Sequence, residues 1–137
     1  MTELRLVVLE FSASGPAFPT QQISGEFLWI LGIINQAGPL PVKQSFNSPM
    51  DGPALLVVTG SLWTTSANNQ MQLTVFLDGT QIGATTLWSN GASTHRAMPT
   101  LFIPVNLTFG SHQLALFAGG NSVTSDLNDP FFAALIY

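Results

Sequence analysis

The sequence predicts an all-β protein, an antiparallel jelly-roll β-sandwich of about ten strands. Three observations predict it. Short apolar or alternating segments recur along the 137 residues, twelve glycines and nine prolines fall largely between them, and no stretch carries convincing helical periodicity.

Leu4 to Phe11 mixes apolar and β-branched residues and is predicted as a first strand, closed by Ser12-Ala13-Ser14-Gly15-Pro16. Ala17 to Ser24 is mostly polar and contains Pro19, so it reads as an edge segment, because proline donates nothing to a central ladder. Glu26 to Ile34 contains Phe27-Leu28-Trp29-Ile30-Leu31 and is predicted as a strand covered on both faces by a second sheet or another subunit. Trp29 is assigned to the core or an interface, where burial contributes about 2 to 3 kcal/mol. Prolines 39, 41, 49 and 53 leave only Val42 to Phe46 as a short strand before Ala54 to Trp63 and Met71 to Leu77, which flank the polar tip Thr64 to Asn69.

Asp78-Gly79 is the best hairpin signal, since both residues tolerate the positive φ that a two-residue turn demands. Thr80 to Leu87 follows as a strand. Leu101 to Phe109 turns at Phe109-Gly110-Ser111 into His112 to Ala118, and a last loop from Gly119 leads to Phe131 to Tyr137, predicted to lie centrally in its sheet. The chain is predicted as a single domain, 1–137, long enough to bury roughly two thirds of its unfolded surface.

Composition narrows function. Charged residues are 7% of the chain against a usual share of about 25%, and 46% are hydrophobic. Three Lys and Arg with a net charge of -4 leave no basic stripe for phosphates, so nucleic acid and anionic membranes are not expected partners. Without cysteine there is neither disulfide nor thiolate chemistry. MTELRLVVLE is too short and too charged for a signal-peptide core, and Phe27 to Ile34 falls far below the roughly twenty residues of a membrane span. The expectation is a soluble protein without a Sec signal; a cell-surface or non-classically secreted location is compatible with it.

Polar chemistry concentrates in Thr86 to Pro104, whose middle, between the strands Thr80 to Leu87 and Leu101 to Phe109, reads as a long loop that holds Trp88, His95 and Arg96. Trp63, Thr64, Trp88, Ser93, Thr94, Arg96 and Asp129 together supply what an uncharged glycan requires, aromatic faces for C–H groups and short polar groups for hydroxyls. The same tryptophans also suit a sandwich core. No cofactor and no metal site are expected: the two histidines have no cysteine beside them, and Asp126-Leu127-Asn128-Asp129 lacks the ligand run and glycine of an EF-hand, which makes it an acidic turn. His95 and His112 sit in no catalytic motif, and the chain is not expected to be an enzyme.

Asp51-Gly52, Asn68-Asn69, Ser93-Thr94-x-Arg96 followed by Met98-Pro99, and Asn128-Asp129 to Ile136-Tyr137 resemble the TNF/C1q-like jelly roll, and within it the fucose-binding bacterial lectin domain of the Burkholderia superlectins. The likeness covers roughly residues 51 to 137. It implies a homotrimer with fucosylated glycans bound between subunits, Ser93, Thr94 and Arg96 on one side and an acid, Asn128 or Asp129, on the other. The family's second arginine has no counterpart in Gly119 to Thr124, and its tyrosines are missing, so Trp63 with Thr64, or Trp88, stands in for them. The alternative function is a non-catalytic structural trimer, such as a phage tail-fibre tip, a coat or a shell subunit.

Overall fold

The computed structural model describes residues 28–137, so the readings of Leu4 to Phe11 and Ala17 to Ser24 lie outside the described residues. Ten strands form: β1 (Ile30–Ala37), β2 (Val42–Ser48), β3 (Gly52–Thr64), β4 (Asn69–Leu77), β5 (Thr80–Ser89), β6 (Arg96–Ala97), β7 (Leu101–Leu107), β8 (Gly110–Gly119), β9 (Val123–Thr124) and β10 (Pro130–Ile136). In one sheet β10 lies between β1 and β3, while β7 and the short β6 share β3's other edge. The second sheet has the order β2-β8-β4-β5. Every pairing is antiparallel, and the chain crosses between the sheets at β1–β2, β2–β3, β3–β4, β5–β6, β7–β8 and β8–β9.

Alternation fixes which side of each strand is dry. On β3, Ala54, Leu56 and Val58 turn inward, and Leu55, Val57 and Thr59 turn out. The inward set meets Met71, Leu73 and Val75 of β4, Leu114 and Leu116 of β8, and Phe131, Ala133 and Leu135 of β10. Each large aliphatic chain enclosed there contributes about 2 kcal/mol of transfer free energy. The outer face of the β1-β10-β3-β7 sheet stays apolar, with Phe102 64% and Phe132 42% exposed on either side of β3.

Two features set the β4–β5 hairpin. Asp78 (φ 50°) and Gly79 (φ 82°) form the two-residue turn between the paired Leu77 and Thr80, as the sequence predicts. A bulge follows: the register passes from Phe76 opposite Gln81 to Val75 opposite Gly83, leaving Ile82 as the extra residue.

Several expectations need correction. The strand predicted over Glu26 to Ile34 runs from Ile30 to Ala37 and lies at a sheet edge, paired only with β10 among the described residues. Ile30 is therefore exposed. Trp29 is likewise exposed within the chain, its ring tilted against Tyr137 at 6.4 Å. An apolar run reports affinity for a dry surface, and among the described residues none covers it. Strand β5 continues through Trp88 to Ser89, so the long loop predicted after Leu87 shortens to the residues between Ser89 and Arg96. Phe109 belongs to the β7–β8 turn and is exposed.

Candidate functional site

Three loops converge at one end of the sandwich: β3–β4, β5–β6, and the segment around β9 that leads to β10. The Thr64 hydroxyl organises the first, donating to Ser66 O at 3.0 Å and accepting from Ser66 N at 3.2 Å and Asn69 Nδ2 at 3.1 Å. Asn69 Nδ2 also donates to Asn121 O at 2.5 Å, and Thr65 N to Ser122 O at 2.8 Å, which ties the first loop to the third. Ser93, at φ 56°, donates its N–H to Thr64 O at 2.7 Å. Arg96 and Ala97 then pair with Leu62 and Ser61, and Met98 inserts into the core with its N–H on Gly60 O at 2.8 Å.

The result is a strap, Ser93-Thr94-His95-Arg96, fastened at both ends with its side chains exposed. Arg96 has no ion pair and no side-chain hydrogen bond among the described residues. Beneath the strap lies Asp129, which has no exposed surface. Its Oδ1 accepts from Ser61 Oγ at 2.6 Å and His95 Nδ1 at 2.8 Å, and its Oδ2 from Asp126 N at 2.8 Å. A carboxylate buried with three donors satisfies the rule that buried charge must be paired.

His95 is held above its ordinary range, first by the hydrogen bond to Asp129 and further by the charges of Asp129 and Asp126, against a smaller desolvation effect. Its Nε2 lies 3.7 Å from Asp126 Oδ2. The Trp63 ring tilts against the imidazole at 5.8 Å, and the indole N–H is buried without an acceptor among the described residues.

Of the residues singled out in the sequence, Ser93, Thr94 and Arg96 lie exposed on the strap, Trp63 supports it, and Thr64 and Asp129 are fully buried with their oxygens engaged inside the chain. Trp88 stands apart, on the outer face of the β2-β8-β4-β5 sheet opposite Gln70, with Nε1 donating to Asn90 Oδ1 at 2.9 Å. Ser61 and Asp126 were not singled out for this end. Ser61 comes from a distant strand and reaches Asp129 through strand register, whereas Asp126 meets it within the same turn, three residues away.

His95, Asp126 and Asp129 each offer one potential metal-ligand atom, all within 4.8 Å of one another. A cation there would compete with the three donors already on Asp129. Nucleophilic catalysis needs the histidine between serine and acid. Here Asp129 stands between Ser61 and His95, so the serine proton points to the carboxylate. No helix among the described residues is long and apolar enough to cross a membrane.

No protein-family profile matches the chain, and no characterised protein sequence does. Solved structures similar to it include a family 35 carbohydrate-binding module from Clostridium thermocellum, at 14% identity and a TM-score of 0.45, over 80% of this chain and 91% of that one. Another is a carbohydrate-binding module from Cellvibrio mixtus lichenase 5A in complex with cellotriose, at 21% identity and 0.41, over 83% and 80%. A third is a Paenibacillus cycloisomaltooligosaccharide glucanotransferase, at 18% identity and 0.41, over 67% of this chain but 13% of that enzyme's length.

Proposed function

We propose that this chain is a non-catalytic carbohydrate-binding protein whose ligand meets the strap Ser93 to Arg96. The observation that carries the reading is the strap itself: four consecutive exposed polar side chains on a backbone tied down at Ser93 and Met98, beside an aromatic ring. Binding groups fixed in advance lose less conformational freedom when they engage a ligand. Arg96 adds five N–H donors in a planar fork that bridges two neighbouring sugar oxygens. The scarcity of charge suits a neutral ligand.

The resemblance to the superlectin domain supports fucosylated glycans as the ligand class and a homotrimer as the assembly. The apolar outer face of the β1-β10-β3-β7 sheet supports assembly independently, because soluble monomers rarely leave contiguous aromatic surface exposed. That same face favours the second reading, a purely structural trimer.

A glycan array separates the two, since a structural subunit shows no saturable sugar binding. Hydrogen bonds to a charged group contribute roughly 1.5 to 3 kcal/mol, so Arg96→Ala should weaken glycan binding by about ten- to a hundredfold at unchanged melting temperature. Binding untouched by that substitution removes the strap from the site. Light scattering should return a mass near three times 14.6 kDa, and a stable monomer at micromolar concentration excludes a site shared between subunits.

A further inference from the structure

The outer face of the β2-β8-β4-β5 sheet carries a second concentration of recognition chemistry, away from the strap. The outward residues meet in rows across the strands. Lys43, Ala115, Phe76 and Gln81 form one row; Phe117, Thr74 and Ala84 the next; then Gly119, Gln72 and Thr86; then Gln70 and Trp88. Small residues, Ala115, Thr74, Ala84 and Gly119, are interspersed among the long ones and leave a trough between them. A hollow of about 500 Å³ at one end of it is lined by Lys43, Thr74, Phe76, Gln81, Gln113 and Phe117 among others.

Three features show the trough to be organised. Phe76 and Phe117 pack edge to face at 5.1 Å, and Lys43 Nζ lies 5.6 Å from the Phe117 ring centre. The Gln72 side chain lies directly over Gly119, where an added Cβ would come within 2.5 Å of its Oε1, so the glycine holds the amide flat against the sheet. Trp88 is 57% exposed with its indole N–H already used by Asn90, which leaves the ring to offer aromatic surface alone.

We infer that this trough is a second binding site, for a linear neutral oligosaccharide laid along the strands. From Phe76 to Gln70 it extends roughly 20 Å at about 3.3 Å per residue, room for several sugar units in line. Four glutamine amides, each both donor and acceptor, match the alternating donor and acceptor character of sugar hydroxyls. The rings of Phe76, Phe117 and Trp88 supply surface for C–H faces. No carboxylate projects among these rows, and the single cation is far short of what a polyanion needs. An apolar protein surface would strip water from the amides without pairing them, at a cost for each.

The inference extends the glycan reading to a second surface without depending on the strap, and one experiment distinguishes the two. The whole chain is run in native gels containing xyloglucan, mixed-linkage β-glucan, galactomannan or dextran, beside Phe117→Ala, Gln113→Ala and Arg96→Ala, with melting temperatures confirming the fold. At least one polysaccharide should retard the parent chain, Phe117→Ala and Gln113→Ala should each weaken that retardation at least fivefold, and Arg96→Ala should leave it intact. Retardation abolished by Arg96→Ala and untouched by the other two overturns the trough and keeps the strap. No retardation by any of the four polysaccharides overturns the trough outright, whatever the glycan array returns for Arg96.

Discussion

Each end of the sandwich holds a histidine bonded to an aspartate, and the two pairs are built in opposite senses. At the loop end the acid is enclosed and the imidazole faces solvent: the His95 side chain is 36% exposed and that of Asp129 not at all. At the turn end the His112 side chain keeps 10% and that of Asp78 keeps 49%. His112 stacks on Phe46 at 5.6 Å, with Nδ1 2.6 Å from Asp78 Oδ2 and Nε2 2.7 Å from Thr108 O. Both ring nitrogens face acceptors, which suits the protonated ring. Asp78 Oδ1 also takes the N–H of Gln113 at 2.8 Å, so the pair closes a latch between the β4–β5 turn, the β7–β8 turn and β8. Nothing on that histidine remains for a ligand. At the loop end the enclosed acid holds the strap while its histidine stays accessible. Which partner is buried decides whether the same two side chains make a joint or a recognition surface.

The largest effect expected on this contrast comes from Asp129→Ala. It strands the Ser61 hydroxyl and the Asp126 N–H, and buried donors without acceptors cost about 1 to 3 kcal/mol each, so urea denaturation should report a loss of roughly 3 kcal/mol. A loss within experimental error would mean that the end is not built around this carboxylate.

The turn-end latch is weaker and depends on pH. His112 is raised above 6.5, first by its bond to Asp78, then by the Thr108 carbonyl and the Asp78 charge, against desolvation. Burial alone would push Asp78 up, yet it falls below 3.8 because the His112 bond, the Gln113 N–H and the His112 charge together outweigh burial. The folded chain thus binds the His112 proton more tightly than the unfolded chain. That contribution is complete below pH 6.5 and disappears as pH rises through the raised value. The Asp78 contribution is present above pH 3.8 and is lost as pH falls through the lowered value. With the carboxylate half in solvent the pair contributes at most about 1 kcal/mol. His95 titrates with the same sign, so the diagnostic comparison is between the parent chain and Asp78→Asn. The melting temperature should fall less between mildly acidic and alkaline buffer in the variant; an unchanged slope would assign the effect to the loop end.

The smallest effect is expected at Trp63→Phe. The substitution removes an N–H that is buried without an acceptor, which offsets the lost ring contact, so stability should move by less than about 1 kcal/mol. A drop of roughly 3 kcal/mol would indicate that the indole has a partner in solution.

Local chemistry was legible in the sequence. The Asp78-Gly79 turn follows from which residues tolerate positive φ, and the strands Ala54 to Trp63 and Met71 to Leu77 follow from their apolar, β-branched composition. Strand β10 was also predicted in its central place. What needed register was not legible: Ser61, His95 and Asp129 meet because β3 pairs with β6 on one edge and with β10 on the other, and no short motif encodes that meeting. Edge position was hidden for a related reason, since the apolar run through Leu31 is the same whether or not a neighbour covers it. Trp88 was placed in a loop although Thr86 and Trp88 continue the outward alternation of β5, because polar residues after it masked the strand's end.

The bulge at Ile82 has a consequence for how such a surface could diversify. Gln81 faces the trough and Ile82, the extra residue at that point in the hairpin, packs toward the core. Loss of the Ile82 codon would remove the bulge and leave Gln81 opposite Phe76 and Gly83 opposite Val75, each on its present side of the sheet. Among sequences sharing this hairpin, the bulge would therefore absorb a one-residue change of length, and the chemistry displayed beside Phe76 would follow the residue at the position of Gln81.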